Sequence, residues 1–180
     1  MPPILTDLIA KDLTVIFCGI NPGLKSAWDG HHFSGRSNRF WKVLHQAGFS
    51  PYEIEPVNDA SIMDFGYGLT TAVERATARA DELSIDEFDD SIEAFKVKMT
   101  HCKPKYIALM GKQAYMAFCR KKQIPWGAQP DDFCASKVWV LPNPSGLNRG
   151  FTLNDLVTSY KELYQAIQEG EAQLPGPGTK

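Results

Sequence analysis

With 180 residues, 43% of them hydrophobic and 22% charged, the chain lies within ordinary globular usage, which excludes disorder and fibrous repeats and predicts one domain over residues 1–170. No apolar run approaches the ~20 residues of a bilayer span, and the start Met1-Pro2-Pro3 is unlike a secretory leader, so a cytoplasmic protein with no membrane partner is expected. The net charge of −2 speaks against a nucleic-acid partner, but the charges are segregated: residues 81–93 hold seven acidic and no basic side chains, whereas Lys25, Arg36, Arg39 and Lys42 face only Asp29, so the acidic half is expected to point away from a basic site.

In chain order, residues 13–18 are short, β-branched and almost wholly apolar, which predicts a central strand of a parallel sheet covered on both faces. It delivers Gly19-Ile20-Asn21-Pro22-Gly23. Residues 25–35 lack periodicity and read as a long loop. Ser37 is placed to cap a helix with Phe40, Trp41, Leu44 and Ala47 inward and Gly48 as its stop. A short strand is expected within residues 62–71. Ser84 and Glu87 form a capping box ahead of the stripe Ile85, Phe88, Ile92, Phe95 and Met99. Residues 105–110 predict a second central strand, and Gly111-Lys112 opens a helix that ends near the basic residues 120–122. A third strand at 137–141 runs into Pro142-Asn143-Pro144-Ser145-Gly146. A final helix starts at Thr152 and Asp155, buries Leu153, Leu156, Val157, Tyr160, Leu163, Tyr164 and Ile167, and stops at Gly170. Residues 171–180 read as a disordered tail.

This alternation predicts an α/β protein, a three-layer α/β/α sandwich around a mainly parallel sheet of four to five strands. Two strands ending in Asn-Pro turns mark the lips of a cleft, because ligands of open α/β sheets lie beyond the carboxyl ends of the strands. Proline forces each preceding asparagine out of helical geometry. Asn21 and Asn143 are therefore presented as amides that can orient a water or a carbonyl, but neither can take a proton. A plain β-turn is the competing reading of each copy alone. Phe33 is either a stacking platform for a flat ligand or a loop anchor. In Gly146-Leu147-Asn148-Arg149-Gly150 an apolar residue beside a cation at the tip of a flexible loop resembles a wedge entering a base stack, although a loop leucine is more often packing. Phosphate loops, dinucleotide fingerprints and nucleophile elbows are absent. The four cysteines are scattered and His31-His32 with Asp29 makes a poor ligand set, so no metal is expected.

The segments 17–23, 38–43 (Asn-Arg-Phe-Trp-Lys-Val), 110–115 (Met-Gly-Lys-Gln-Ala-Tyr) and 139–147 (Trp-Val-Leu-Pro-Asn-Pro-Ser-Gly-Leu), in that order, resemble the bacterial mismatch-specific uracil-DNA glycosylases of the thymine-DNA-glycosylase branch. The resemblance spans roughly residues 13–167. It implies a monomeric, monofunctional DNA repair enzyme, needing no cofactor, used at the bacterial nucleoid. Its partner would be double-stranded DNA with a G·U mismatch, from which it excises uracil, with ethenocytosine and weak thymine activity. By motif position, Asn21 would hold the attacking water, Ile20 would contact the flipped base through its backbone, and Phe33 would stack on that base. Asn143 would belong to the second motif, and Gly146, Leu147 and Arg149 would form the wedge. Asn148 stands where serine is expected. A nucleotide-hydrolysing enzyme and a catalytically silent DNA-binding module are the rival classes.

Overall fold

The computed structural model describes residues 1–172. Strand β1 (Val15–Gly19) is buried along its whole length, and alternate side chains go to opposite faces: Val15 and Phe17 to one core, Ile16 and Cys18 to the other. β1 pairs in parallel with β2 (Tyr67–Thr71) and with β3 (Tyr106–Met110). β5 (Lys137–Leu141) pairs in parallel with β3, and the two-residue β4 (Gly127–Ala128) closes the edge antiparallel to β5. The five strands lie in the order β2-β1-β3-β5-β4. Strands covered on both faces need no polar alternation, which is why they read as continuous apolar runs.

One face is covered by α2 (Phe40–Gln46) and α5 (Leu153–Ala172), whose Phe40, Leu44, Leu156, Tyr160 and Leu163 meet Phe17, Ala108 and Leu141. The other is covered by α3 (Ile85–Cys102) and α4 (Lys112–Cys119), whose Phe95, Met99, Ala114 and Phe118 meet Ile16, Ile107 and Val140. This is the expected three-layer sandwich. The chain leaves β1 for β2 on one side and returns to β3 on the other, so the switch point lies beyond the carboxyl ends of β1 and β3.

Local expectations needed correction in four places. Residues 25–35 are not one loop: Leu24–Asp29 forms the short helix α1, closed by Gly30 in the left-handed region at φ 73° with its N–H donating to Ser26. A helix this short shows no periodicity, so only its capping identifies it. Ser37 does not cap α2: the N-cap position is Arg39, which makes no side-chain cap bond, and the Phe40 N–H is met by Asn38 Oδ1 at 2.9 Å. Ile85 heads α3 but is 75% exposed, and the buried stripe begins at Phe88. Gly170 does not stop α5, which runs to Ala172, since one glycine costs a helix only about 1 kcal/mol. The remainder of the expected tail, residues 173–180, lies outside the described residues. None of the described helices is long and apolar enough to cross a membrane.

The capping box is as read: the Ser84 hydroxyl accepts the Glu87 N–H while the Glu87 carboxylate accepts the Ser84 N–H. Among the described residues all four cysteines are free thiols.

Candidate active site

The residues following β1, β2, β3 and β5 converge on one cleft of about 370 Å³, lined by Gly19, Ile20, Asn21, Thr71, Met110 and Asn143 together with Phe33, Thr77 and Leu147. Of the seven residues proposed from sequence, five line it; Gly146 and Arg149 lie outside that lining, Gly146 against Ser37 and Arg149 exposed on the loop beyond Leu147.

Asn21 is oriented by a segment more than fifty residues downstream. Its Nδ2 donates to the Arg75 carbonyl at 2.8 Å and to Thr77 Oγ1 at 2.7 Å. A backbone carbonyl only accepts, so the amide nitrogen must face Arg75 and the side-chain oxygen must face elsewhere. Thr77 Oγ1 passes its own proton to the Arg79 carbonyl at 2.7 Å, which leaves its lone pairs for Asn21. Backbone bonds complete the junction: Thr77 N–H to the Pro22 carbonyl, and Leu24 N–H to the Thr77 carbonyl. With both amide hydrogens engaged, Oδ1 of Asn21 remains as an acceptor for a water. Ile20 is buried, and its carbonyl already takes the Val73 N–H at 3.0 Å, so a ligand reaching it meets backbone fixed in place.

Phe33 is an anchor that also borders the cleft. Its ring stacks on Phe40 at 4.1 Å. Its φ of 54° places a non-glycine residue in the left-handed region, at a cost of about 1–2 kcal/mol that the stacking against Phe40 must offset.

The second turn is pinned, contrary to the expected flexible loop. Asn143 Oδ1 accepts the Ser145 N–H, so its amide nitrogen faces away from the turn and has no protein acceptor among the described residues. The Tyr160 hydroxyl, buried in α5, donates to the Pro142 carbonyl, and burial holds that phenol un-ionised with its pKa raised. Arg39 then gathers the loop: its guanidinium donates to the carbonyls of Pro144, Ser145, Asn148 and Phe151 at 2.7–3.3 Å. Five donors in a rigid fork suit this task, whereas lysine offers a single point. Asn148 donates through Nδ2 to the Asn143 carbonyl at 2.9 Å, so the residue found in place of serine is spent on the turn itself. Gly146 presses on Ser37: a Cβ there would lie 2.5 Å from Ser37 Cβ and 2.6 Å from its carbonyl oxygen. Leu147 stands at the tip, 65% exposed.

The electrostatics differ from the expectation in two respects. Of the four basic residues near the first turn, Arg39 is consumed by carbonyls and Lys25 pairs with Asp29 at 2.8 Å; Arg36 and Lys42 are exposed. The acidic stretch does not simply face away, because Glu87 and Glu82 hold Arg75 and Arg79 beside the Asn21 junction. His32 lines the cleft but is a buried staple: its N–H donates to Asp59 Oδ2, its Nε2 lies 2.8 Å from the Thr6 carbonyl, and its own carbonyl takes the Trp41 indole N–H. Burial lowers its pKa below the ordinary 6.5, outweighing the Thr6 bond and the Asp59 and Asp7 charges that act in the opposite sense. The sign follows. A depressed histidine is neutral in the fold, so the unfolded chain takes up more protons below about pH 6.5 and stability drops on acidification. The midpoint of thermal unfolding is expected to fall from pH 6.5 to 5, and His32→Gln, which keeps a donor for Thr6, is expected to flatten that slope; an unchanged slope would show that other groups cause it.

Sequence reasoning missed Thr77 and Arg75, for which residues 75–79 carry no local motif; Arg39 stood within a quoted motif but without a role. The fold and cleft define an α/β domain whose cleft, at the carboxyl ends of parallel strands, is lined by the aromatic ring of Phe33 and the asparagine amides of Asn21 and Asn143. The family model of the uracil DNA glycosylase superfamily matches residues 6–168, and the chain belongs to that superfamily. It is accordingly a DNA glycosylase, a repair enzyme that hydrolyses the N-glycosidic bond between a base and its deoxyribose. A solution NMR structure from Methanosarcina acetivorans, described as a candidate uracil DNA glycosylase, is similar in fold: TM-score 0.64 at 17% identity, covering 93% of this chain and 98% of that one.

Proposed function

We propose that the chain is a monofunctional, mismatch-directed uracil-DNA glycosylase of the thymine-DNA-glycosylase branch, acting as a monomer on G·U pairs in duplex DNA and leaving an abasic site. Ethenocytosine and, weakly, thymine opposite guanine extend the substrate range. The observation that carries the mechanism is that, among the described residues, none lining the cleft is Asp or Glu. Glycoside hydrolysis ordinarily uses two carboxylates. With an amide in their place, the C–N bond must break largely ahead of water attack, with charge leaving as a uracil anion held by hydrogen bonds. Asn21 Oδ1 then orients the water that captures the oxocarbenium-like sugar, Phe33 stacks on the flipped base, and the free amide nitrogen of Asn143 serves the same chamber. Extruding a base costs a few kcal/mol and least at a mismatch, so part of the preference for G·U comes from weak pairing.

The direct test incubates the protein with duplexes carrying uracil, ethenocytosine or thymine opposite guanine or adenine and reads abasic sites by alkaline cleavage. Uracil opposite guanine is expected to be the best substrate of the panel; equal cleavage opposite adenine would remove the mismatch assignment, and no abasic product would remove the enzyme. The wedge role of Leu147 has its own readout. Leu147→Ala is expected to slow excision from duplex by about 10-fold while sparing single-stranded uracil DNA, since only a duplex leaves a gap to fill. Equal losses on both substrates would count against a wedge.

A further inference from the structure

We propose that the Arg75–Glu87 ion pair is a positioning device for the reaction, holding the segment 75–79 so that the Arg75 carbonyl and Thr77 hydroxyl keep the Asn21 amide turned with its oxygen toward the water; this rests on the role of Asn21 proposed above.

The guanidinium of Arg75 donates through Nε to Glu87 Oε1 and through Nη2 to Glu87 Oε2 at 3.1 Å, with a further bond from Nη2 to the Glu82 carbonyl at 3.2 Å. The main-chain carbonyl of this same residue, Arg75, accepts from Asn21. Fixing the side chain at one end therefore restrains the carbonyl at the other. Glu87 is itself immobilised, because Oε2 also accepts the Ser84 N–H at 2.8 Å within the capping box of α3. At the far end of the segment the Arg79 N–H donates to Glu82 Oε1 at 2.8 Å. Residues 75–79 thus hang between the Asn21 turn and the first turns of a long helix that packs on the sheet. The hydrogen bond from Arg75 draws the Glu87 pKa from 4.5 down to about 2, so the carboxylate stays ionised under any practical assay condition. This arrangement also gives the acidic stretch a local use: Glu87 pairs with Arg75 and Asp81 with Arg79.

An exposed ion pair contributes little to global stability as a rule. A large effect on catalysis with a small effect on melting is what separates positioning from mere structure. The same reasoning selects the test, a double-mutant cycle through Asn21. Arg75→Ala and Glu87→Ala are each expected to lower the single-turnover rate of uracil release at saturating G·U duplex by about 5- to 20-fold, as misorientation of a reacting water does. Affinity for duplex carrying the abasic product, which needs no water, is expected to stay at the wild-type level. In the Asn21→Ala background neither substitution is expected to slow the reaction further, because nothing is left to orient. The swap Arg75→Glu with Glu87→Arg is expected to recover part of the rate. Glu87→Gln keeps the shape and one acceptor for Arg75, and gives a folded variant with an intermediate rate if Glu87→Ala melts early.

Wild-type rates in both single variants would overturn the proposal, as would a loss that persists in full in the Asn21→Ala background or a parallel loss of affinity for abasic duplex. A full rate in Asn21→Ala alone would instead overturn the role of Asn21. A slow Asn21→Ala beside fast Arg75 and Glu87 variants would sink only the brace.

Discussion

Asn21→Ala is expected to lower the single-turnover release of uracil from a G·U duplex by about 10²-fold or more, the scale on which losing the placement of a reactant is felt. Binding to abasic-product duplex is expected to be retained, since in the proposed arrangement Asn21 would meet the water beside the base and not the duplex stack. The companion variant decides what kind of help the residue gives. In Asn21→Asp an ionised carboxylate would put an oxygen where the amide nitrogen now donates to the Arg75 carbonyl, and two acceptors facing each other repel. The carboxylate is therefore expected to swing off its station and to leave the enzyme slower than wild type at neutral pH, although it supplies a base. If Asn21→Asp were faster, proton abstraction would limit the reaction and the departure-led mechanism would be wrong. Undiminished cleavage by Asn21→Ala would take the residue out of the chemistry altogether.

Gly146→Ala is expected to be the most damaging single methyl in the second turn. The new Cβ would fall 2.5 Å from Ser37 Cβ and 2.6 Å from the Ser37 carbonyl oxygen, and a carbonyl of the main chain cannot yield as a side-chain tip can. The loop must lift from the segment before α2, at about 1–3 kcal/mol, a usual range for overpacking. Lifting it also strains the bonds by which Arg39 gathers the Pro144, Ser145, Asn148 and Phe151 carbonyls, so Leu147 loses its station. Excision from G·U duplex is expected to fall by about 10-fold or more, with a lower melting temperature, on the reasoning that the wedge must be preorganised before it meets DNA. Ser37→Gly removes the side-chain clash but leaves the carbonyl, so the double variant is expected to recover little; full recovery would place the conflict in the Ser37 side chain alone. Unchanged excision by Gly146→Ala would show that the loop has another seat.

These two residues illustrate how unevenly the site was readable. Asn21 and Gly146 stand in short motifs whose proline and glycine announce their backbone geometry, so their positions at the ends of β1 and β5 followed from the chain order of apolar runs. The orientation of Asn21 did not follow. Thr77 and Arg75, its two partners, sit in a stretch of mixed polar residues that carries no periodicity, turn signature or motif. Arg39 stands in a recognisable segment and reads there as one of a group of basic residues around the site, whereas it is spent inside the protein on four carbonyls. Helix α1 went unread for a different reason: six residues make too few turns to show a period, and the helix is held by its ends.

From sequence alone came the parallel sheet with both faces covered, the amphipathic stripes of α3 and α5, the two asparagine turns and the absence of the usual phosphate and nucleophile motifs. Each of these depends on residues near one another in the chain, through side-chain periodicity or the torsional limits of proline and glycine. What the tertiary structure decided is which way each functional group points. The partners of Asn21 lie 54 and 56 positions away and those of Arg39 more than a hundred, brought together only because β1 and β2 are neighbours and β5 ends beside α2. A hydrogen bond needs both partners within about 3 Å, and over such separations that distance is set by the order of the strands, not by any local pattern.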